Sequence, residues 1–479
     1  MSGSANQGEA GANHRDTNTI SIPGVGDGTA SPEERHSLNR QILALAIPAF
    51  GALIAEPLFL LADSALIGQL GTAHLAGMSI AATLIGTVVG LMNFLAYSVT
   101  PSVARHYGAG NYAGAYKNGV DGAWVALGLG ILLMCAGYAL ADPLLVGLGA
   151  TNETIAYARD YLHHSLWGLP PMMVILSQVG TLRGLQDTVT PLKVAGLGAV
   201  VNFGLNWMLI YPVGWGVAGS ATGTSITQWL MMFALGLVLQ RGMKTHGASW
   251  RPDWMGARSV LSLGSWLMLR TLSMRAAMLL TVVIVARFGT QSLAAYQLGM
   301  SIFSLFLYAL DSLAIAAQAL LGKEMGARDL SLASERAAVR ALLHRLVRMS
   351  LLYGAITALL CAPLGYWGAW IFTADVQVQS LLAASCLIIA LGQPLAAYVF
   401  VLDGILMGAQ DMCYLALGTF VMLLSYVPVL GAIWWAQAVG SLDSFWAYCA
   451  LWVTYIFWYQ GVRAVIFGRR VHSDVWLKA

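Results

Sequence analysis

The sequence predicts an all-α integral membrane protein with twelve transmembrane helices in two pseudo-symmetric lobes of six helices each. Hydrophobic residues make up 58% of the 479 residues and charged residues only 10%, whereas a soluble domain carries about a quarter charged residues. Apolar runs of about 20 residues, each long enough to cross a hydrocarbon core, recur along the chain. Short patterns of the first half also return, in the same order, in the second half.

Twelve apolar runs are separated by Gly, Pro and polar residues. Because lipid offers the backbone no hydrogen-bond partner, we predict that each run is a helix. The predicted spans are 39–66, 75–103, 118–141, 155–182, 188–211, 216–240, 257–287, 291–321, 339–372, 378–406, 411–436 and 443–467.

The distribution of Lys and Arg predicts the orientation of these spans. If the N-terminus is cytoplasmic, the outer loops carry only Arg159 and Arg287, and the other basic residues near span ends fall on the inner side. Such an asymmetry is typical of a multi-pass protein of the cytoplasmic membrane. We therefore expect both termini to be cytoplasmic, which agrees with an even number of spans.

Two patterns repeat between the halves. "LGTAHLAG" (70–77) resembles "FGTQSLAA" (288–295), and in both halves a "GA" pair follows the first Gly after 37 residues, at 108 and 326. "GTLRGLQD" (180–187) resembles "GILMGAQD" (404–411). Six spans per repeat give both halves the same orientation. The axis that relates the two halves is then predicted to run along the membrane normal. This architecture belongs to secondary transporters, whose binding site lies near the midplane of the membrane.

The repeats define the expected organisation of the chain. Residues 1–36 are polar and rich in Gly, Ser and Asn, which predicts a disordered cytoplasmic tail. We place the first lobe at 37–241, a linker at 242–256, the second lobe at 257–468 and a cytoplasmic C-terminal tail at 469–479.

The first span contains two carboxylic acids, Glu56 and Asp63. An ionisable group at bilayer depth costs about 2.5–3.5 kcal/mol, so its presence indicates a function. The two acids are seven residues apart and share one helix face, and Pro48 and Pro57 weaken the same helix. Because burial favours the neutral form of an acid, we expect Asp63 to take up and release protons as this helix bends. The alternative is a wetted Asp63 near the outer end and a merely structural Glu56.

Charged residues also occur within the second-half spans: Arg270, Arg275, Asp311 and Asp403. We predict a charge network in which Asp311 pairs with Arg275 and rearranges as the lobes move. The alternative is a static ion pair that only satisfies two buried charges.

Three segments carry a resemblance to a known family: "PLFLLADSALIGQLGTAHLAG", "GTLRGLQDTVTP" and "DSLAIAAQALLGKEMGA". They resemble the multidrug and toxic compound extrusion (MATE) family, in its DinF-like branch, over roughly residues 38–468. Membership implies a two-lobe fold of twelve helices that exports substrates in exchange for protons or sodium.

The resemblance also implies a proton and substrate pocket in the first lobe. Matching positions are Pro48, Glu56, Asp63, Tyr161, Gln178, Asn202, Asn206 and Thr224. Several relatives have an acid where this chain has Asn206, and Gln where it has Glu56, so we expect the acid pair to lie on the first span alone. Sodium-coupled relatives carry a Glu in span seven, where this chain has Met274 and Arg275, and we therefore favour protons over sodium.

The function expected from these observations is proton-coupled antiport of lipophilic, often cationic, compounds by alternating access. The sequence lacks the phosphate-binding loop of an ATPase, the HExxH zinc motif and a catalytic serine elbow, so we expect a transporter rather than an enzyme. We expect no cofactor, no metal site and no nucleic-acid partner; the partners are small-molecule substrates and membrane lipids, and the protein is a monomer. An organic-acid or metabolite exporter, or a lipid-precursor flippase, remains the alternative on the same scaffold.

Overall fold

The computed structural model describes the backbone of residues 32–473 and 475–478, and the side chains of these residues except 32–36, 56, 366 and 478. Throughout this part of the chain the regular elements are helices. The first lobe consists of α1 (Pro32–Gly68), α2 (Thr72–Met92), α3 (Phe94–Gly108), α4 (Tyr112–Gly147), α5 (Ile155–Leu166), α6 (Leu169–Gly184), α7 (Val189–Ile210) and α8 (Gly216–His246). The second lobe consists of α9 (Trp254–Ala286), α10 (Thr290–Ala327), α11 (Ala333–Trp367), α12 (Ala369–Phe372), α13 (Val376–Gly408), α14 (Met412–Ala438), α15 (Ser444–Val453), a π-helical turn (Thr454–Tyr459) and α16 (Gln460–His472).

These helices form the twelve predicted spans. Within the described residues, ten segments are individually long and apolar enough to cross a membrane. One of them joins α2 and α3, which only Asn93 separates. The other two spans are interrupted helices: Trp167 and Gly168 separate α5 from α6, and α15 continues through the π-helical turn into α16. The twelve-helix, two-lobe architecture is therefore confirmed, although several helices extend beyond their predicted ends.

The first span is a continuous helix of 37 residues with Pro48 and Pro57 in its interior. A proline has no N–H to donate to the carbonyl four residues earlier, and its ring crowds that carbonyl. At Pro57 the affected carbonyl belongs to Leu53, so the helix is weakened less than two turns before Asp63. The bending of α1 stays a prediction, and we expect the helix to bend at Pro57.

The sequence repeats correspond to equivalent positions in the two lobes. Gln186 and Gln410, the next-to-last residues of the second repeated pattern, both adopt the left-handed backbone conformation, with φ of 67° and 64°. Residues other than Gly rarely adopt this backbone conformation. Gly71 and Gly289, the second residues of the first pattern, also share a positive φ. The repeats therefore encode the same turns, which supports a common origin of the halves.

The lobes meet where α3 crosses α10. Gly108 packs directly on the backbone of Lys323, and Gly326 packs in the same way on the backbone of Arg105. Reciprocal contacts of this kind are what a two-fold axis through an interface produces. We call the side of the bundle that carries loops 109–111, 185–188 and 328–332 the basic face, because the sequence predicts that Lys and Arg concentrate there.

The hydrogen bonds found between described residues of the two lobes lie in one part of the bundle. In the described part of the chain they all lie between its middle and the basic face. They join Tyr97 to Asp311 and Gln318, Arg105 to Met325 and Ala409, Gln186 to Ala319, and Asn39 to Arg345. The lobes are thus closed against each other at the basic face.

We expect Gly326→Ala to weaken this closure, because the added methyl group would collide with the backbone of Arg105. The measurement is the distance between spin labels at Ala113→Cys and Ser334→Cys, in a background without the five native cysteines. The label distance should lengthen or become bimodal. Gly461→Ala is the control, since a methyl group there would meet no atom within 4 Å. An unchanged distance in Gly326→Ala would show that the contact does not hold the lobes together.

The ends of the lobes differ from the predicted boundaries in detail. The helix α8 continues to His246, so the non-helical connection between the lobes is 247–253. Asp121 on α4 accepts the backbone N–H of Asp253 at 2.8 Å, which fixes the start of α9 to the first lobe. Of the predicted N-terminal tail, residues 1–31 lie outside the described residues and residues 32–36 begin α1. After α16 the chain folds back, and Trp476 is fully buried.

Candidate functional site

Asp63 lies at the centre of a polar cluster inside the first lobe. Its side chain is only 2% exposed, and α7 and α8 pack beside it. The four-residue spacing of Asn202 and Asn206 places both amides on one face of α7, where both are buried next to Thr224 of α8. The structure therefore brings the side chains of Asp63, Asn202, Asn206 and Thr224 together.

The cluster is a set of donors directed at the Asp63 carboxylate. The amide nitrogen of Asn206 donates to Oδ1 of Asp63, and the hydroxyl of Thr224 donates to Oδ2 at 3.3 Å. Asn202 donates to the Thr224 hydroxyl at 2.9 Å, which orients that hydroxyl. An ionised carboxylate can only accept hydrogen bonds, so this arrangement fits the ionised form.

The same cluster contains an acceptor without a donor. The carbonyl oxygen Oδ1 of Asn206 is buried and has no hydrogen-bond partner. A protonated Asp63 would need an acceptor, and rotation of the Asn206 amide by a half turn would supply this oxygen. The Asp63–Asn206 pair can therefore form a hydrogen bond in both protonation states. The Asn206 amide nitrogen donates to the ionised carboxylate, and the protonated carboxyl donates to the Asn206 amide oxygen.

A cavity of about 110 Å³ opens beside Asp63. Tyr161, which is 4% exposed, lines it together with Asn202 and Thr224. Most of the remaining wall is apolar and comes from α1, α2 and α6, including Phe59, Ile85, Val89 and Met172. The cavity thus combines one acid with an apolar wall, which suits a lipophilic group carrying a positive charge.

Two residues predicted for this pocket, Pro48 and Gln178, are not brought to it. Pro48 and Gln178 do not line the cavity; Gln178 faces a separate small cavity between α4, α6 and α8. Pro48 precedes Asp63 by fifteen residues, about 22 Å along a helix, so one cavity of this size cannot include both. The side chain of Glu56 lies outside the described residues, and its proposed role stays a prediction.

A second buried charge cluster lies in the second lobe around Asp403. Its Oδ2 accepts hydrogen bonds from Arg270, at 2.6 Å, and from Arg463. Asp403 and Arg463 are 1% and 0% exposed, and Arg463 also donates to Gln460 at 3.0 Å. Three helices, α9, α13 and α16, are thereby held together by one carboxylate.

The expected pair of Asp311 and Arg275 is not formed. Asp311 instead accepts a hydrogen bond at 2.9 Å from the hydroxyl of Tyr97, which lies in the other lobe. Arg275 is exposed, and its guanidinium lies against Gly90 of α2. The reason is geometric, because Tyr97 on α3 faces Asp311 where α3 crosses α10.

Sequence reasoning missed several functional candidates. The sequence predicts a cytoplasmic position for Arg463, but this side chain is fully buried; its position within an apolar run was the available signal. Arg183 is also buried and interacts electrostatically with Tyr97 and Asp311. Tyr97 gave no signal, because a tyrosine in an apolar run is ordinarily a packing residue. Among the described residues, no three His, Cys, Asp or Glu side chains come together as a metal-binding group.

We expect Asn206→Leu to slow transport by about tenfold or more. The change leaves the Asp63 carboxylate with only the Thr224 donor, and a hydrogen bond to a charged group contributes about 1.5–3 kcal/mol. The measurement is the initial rate of substrate efflux from proteoliposomes. Asn152→Leu, in the exposed loop before α5, is the control and should transport normally. A normal rate in Asn206→Leu would exclude this amide from the mechanism.

Comparisons with known proteins agree with the fold. The family model described as MatE matches residues 48–208 and 267–433. "Protein DETOXIFICATION 44, chloroplastic" of Arabidopsis thaliana is 28% identical over 396 residues, covering 79% of this chain and 74% of the relative. "DNA damage-inducible protein F" of Escherichia coli (strain K12) is 27% identical over 416 residues, covering 84% and 89%. The Vibrio cholerae MATE transporter VcmN in the bent form has a similar fold, with a TM-score of 0.82 at 19% identity over 92% of this chain and 99% of that chain.

Proposed function

The chain belongs to the multidrug and toxic compound extrusion family, and from this premise we propose that it exports lipophilic, often cationic, compounds in exchange for protons. Members of this family are transporters, and similar proteins carry multidrug resistance names, among them NorM of Rhizobium meliloti (strain 1021). The observation that carries the proposal is the buried Asp63, which accepts hydrogen bonds from α7 and α8 at the wall of an apolar cavity.

Asp63 couples the proton to the substrate because both need the same carboxylate. The ionised acid attracts a cationic substrate into the cavity, and the neutral acid does not. Protonation from the outer side therefore releases the substrate, and loss of the proton to the inner side restores the site. The helix α1 carries Asp63 and is weakened at Pro57, so the change of hydrogen bonds at Asp63 is transmitted along this helix.

Alternating access is supported by the closed contact at the basic face. The lobes are joined by hydrogen bonds from the middle of the bundle to that face. If this face is cytoplasmic, as the distribution of Lys and Arg indicates, the conformation is the one from which substrate leaves the cell. A matched structure is described as a bent form, which indicates that a relative of this fold has more than one conformation.

Protons are favoured over sodium by the contacts of the second-lobe acids. Two arginines already bind Asp403, and Tyr97 donates to Asp311. A sodium ion at Asp403 would have to displace a guanidinium or lie beside two positive charges. We propose a monomer in the cytoplasmic membrane with both termini in the cytoplasm.

The test is flux of a fluorescent organic cation in proteoliposomes with an imposed pH gradient. We expect efflux that follows the pH gradient, with or without sodium, and that stops when an ionophore collapses the gradient. Efflux driven by a sodium gradient alone would contradict proton coupling. Absence of cation movement under every gradient would contradict the substrate class.

An organic-acid exporter is the second candidate, and one observation favours it. Two buried arginines, Arg183 and Arg463, and the partly buried Arg270 face two acids among the described side chains, Asp311 and Asp403. A carboxylate substrate would balance the remaining charge. The same proteoliposomes with a fluorescent organic anion distinguish the candidates, since an anion exporter would move the anion and leave the cation inside.

A further inference from the structure

A groove of about 510 Å³ lies on the outside of the bundle where the lobes join, apart from the Asp63 cavity. The helix α1 of the first lobe forms one wall, and α10 and α11 of the second lobe form the other. It begins near Asn39, close to the basic face, and runs toward the middle of the bundle as far as Phe50 and Ile356.

The end of the groove nearest the basic face is positively charged. Arg345 and Arg348 are three residues apart on α11 and so lie on the same side of that helix. Arg345 donates to Asn39 at 2.6 Å, which holds its guanidinium at the groove. Arg348 is exposed, and neither arginine forms an ion pair with an acid among the described side chains. Two guanidinium groups are therefore available to an anion.

The remainder of the groove is apolar and faces the region of the lipid tails. Leu43 and Ile47 of α1 are 43% and 64% exposed, and Leu352 of α11 is 64% exposed. From Leu43 to Phe50 the wall is seven residues long, about 10 Å of helix. On α11 the apolar run follows directly after Arg348. The charged and apolar parts thus have the order of a phospholipid headgroup and its tail.

We propose that this groove binds one anionic phospholipid from the leaflet at the basic face, with the phosphate at Arg345 and Arg348 and an acyl chain between α1 and α11. Basic pockets between helices on the cytoplasmic side are suited to anionic headgroups. A zwitterionic lipid has the same tail, but its positive group would be repelled by the two arginines.

The bound lipid would also act on the movement of the lobes. Its tail contacts α1 of one lobe and α11 of the other, so the site is complete only while these helices are adjacent. A ligand that binds one conformation better shifts the population toward it. The lipid would therefore favour the conformation that is closed at the basic face.

Native mass spectrometry of the delipidated protein tests the binding, with dioleoyl phosphatidylglycerol and dioleoyl phosphatidylcholine added in equal amounts. We expect the protein to retain phosphatidylglycerol preferentially. Arg345→Gln with Arg348→Gln should weaken this binding by about fivefold for each arginine. The control Arg251→Gln with Arg258→Gln removes two exposed arginines outside the groove and should change it less than twofold.

A separate variant tests whether an acyl chain occupies the apolar part of the groove. Ile47→Trp places a large ring in the groove at a lipid-facing position and should lower lipid retention while both arginines remain. The water-soluble headgroup glycerophosphoglycerol should not compete. Equal loss in the control pair, equal retention of both lipids, or competition by the free headgroup would overturn the proposal. Because native mass spectrometry detects the bound lipid directly, the result does not depend on whether the protein exports cations.

The conformational part is tested with the labels at Ala113→Cys and Ser334→Cys in nanodiscs. Adding phosphatidylglycerol to phosphatidylcholine should shift the distance distribution toward the short, closed distance. The shift should disappear in Arg345→Gln with Arg348→Gln. If phosphatidylglycerol leaves the distance distribution unchanged, or if the shift persists in the double arginine variant, the lipid does not stabilise the closed conformation through these arginines.

Discussion

The Asp63→Asn variant is expected to lose proton-driven efflux entirely while keeping its fold. Asparagine has nearly the same shape and can still meet Asn206 and Thr224, but it can neither lose a proton nor attract a cation by charge. A gradient of two pH units can sustain up to about a 100-fold substrate gradient for each proton exchanged, and the variant should sustain none. The measurement is the steady-state substrate ratio across proteoliposomes with an imposed pH gradient.

The control for this variant is Asp160→Asn, which makes the same chemical change at an exposed position of α5. It should reach the wild-type ratio. Thermal unfolding of Asp63→Asn in detergent shows whether the fold is kept. A folded Asp63→Asn that accumulates substrate as the wild type does would remove this carboxyl from the coupling mechanism.

The Asp403→Asn variant is expected to lose about 3–5 kcal/mol of stability, the largest such loss that we predict. Asp403 is the shared partner of Arg270 and Arg463, and the change removes this carboxylate from two guanidinium groups that are only 13% and 0% exposed. Thermal and denaturant unfolding in detergent measure the loss. Asp142→Asn is the matched control, because Asp142 and its partner Arg159 are 57% and 42% exposed, and an exposed pair contributes less than about 1 kcal/mol.

A double variant distinguishes loss of the pair from local disruption. Asp403→Asn with Arg463→Gln removes one of the two unpaired charges and should recover part of the stability. If Asp403→Asn alone is as stable as the wild type, the buried cluster does not hold α9, α13 and α16 together. If the double variant is less stable than the single one, the loss arises from packing rather than from unpaired charge.

Much of the fold could be predicted from the sequence because a membrane restricts what a chain can do. Runs that must satisfy their own backbone are helices, and the spacing of Asn202 and Asn206 fixes their shared face. The repeats predicted the two-fold relation, and the reciprocal contacts of Gly108 and Gly326 agree with it. Asp63 could be selected because an acid in an apolar run makes membrane insertion less favourable and is therefore rare without a function.

The partners of the second-lobe charges could not be predicted in the same way. A helical spacing gives the face on which a residue lies, but not which helix packs against that face. Arg275, Asp311 and Asp403 therefore could not be paired from the sequence, and Asp403 pairs with Arg463, 60 residues away. Resemblance to a family places a residue in a lobe, yet Gln178 shows that it does not decide which cavity the side chain enters.

The most direct test of the central claim, that substrate and proton compete for Asp63, is proton release on substrate binding. The purified protein in weakly buffered detergent solution receives a saturating amount of a lipophilic organic cation, at a pH where Asp63 is protonated. Linkage requires that a ligand which excludes the proton must release it, so we predict about one proton for each protein molecule and none from Asp63→Asn. Binding without proton release, or equal release from the wild type and Asp63→Asn, would contradict the mechanism.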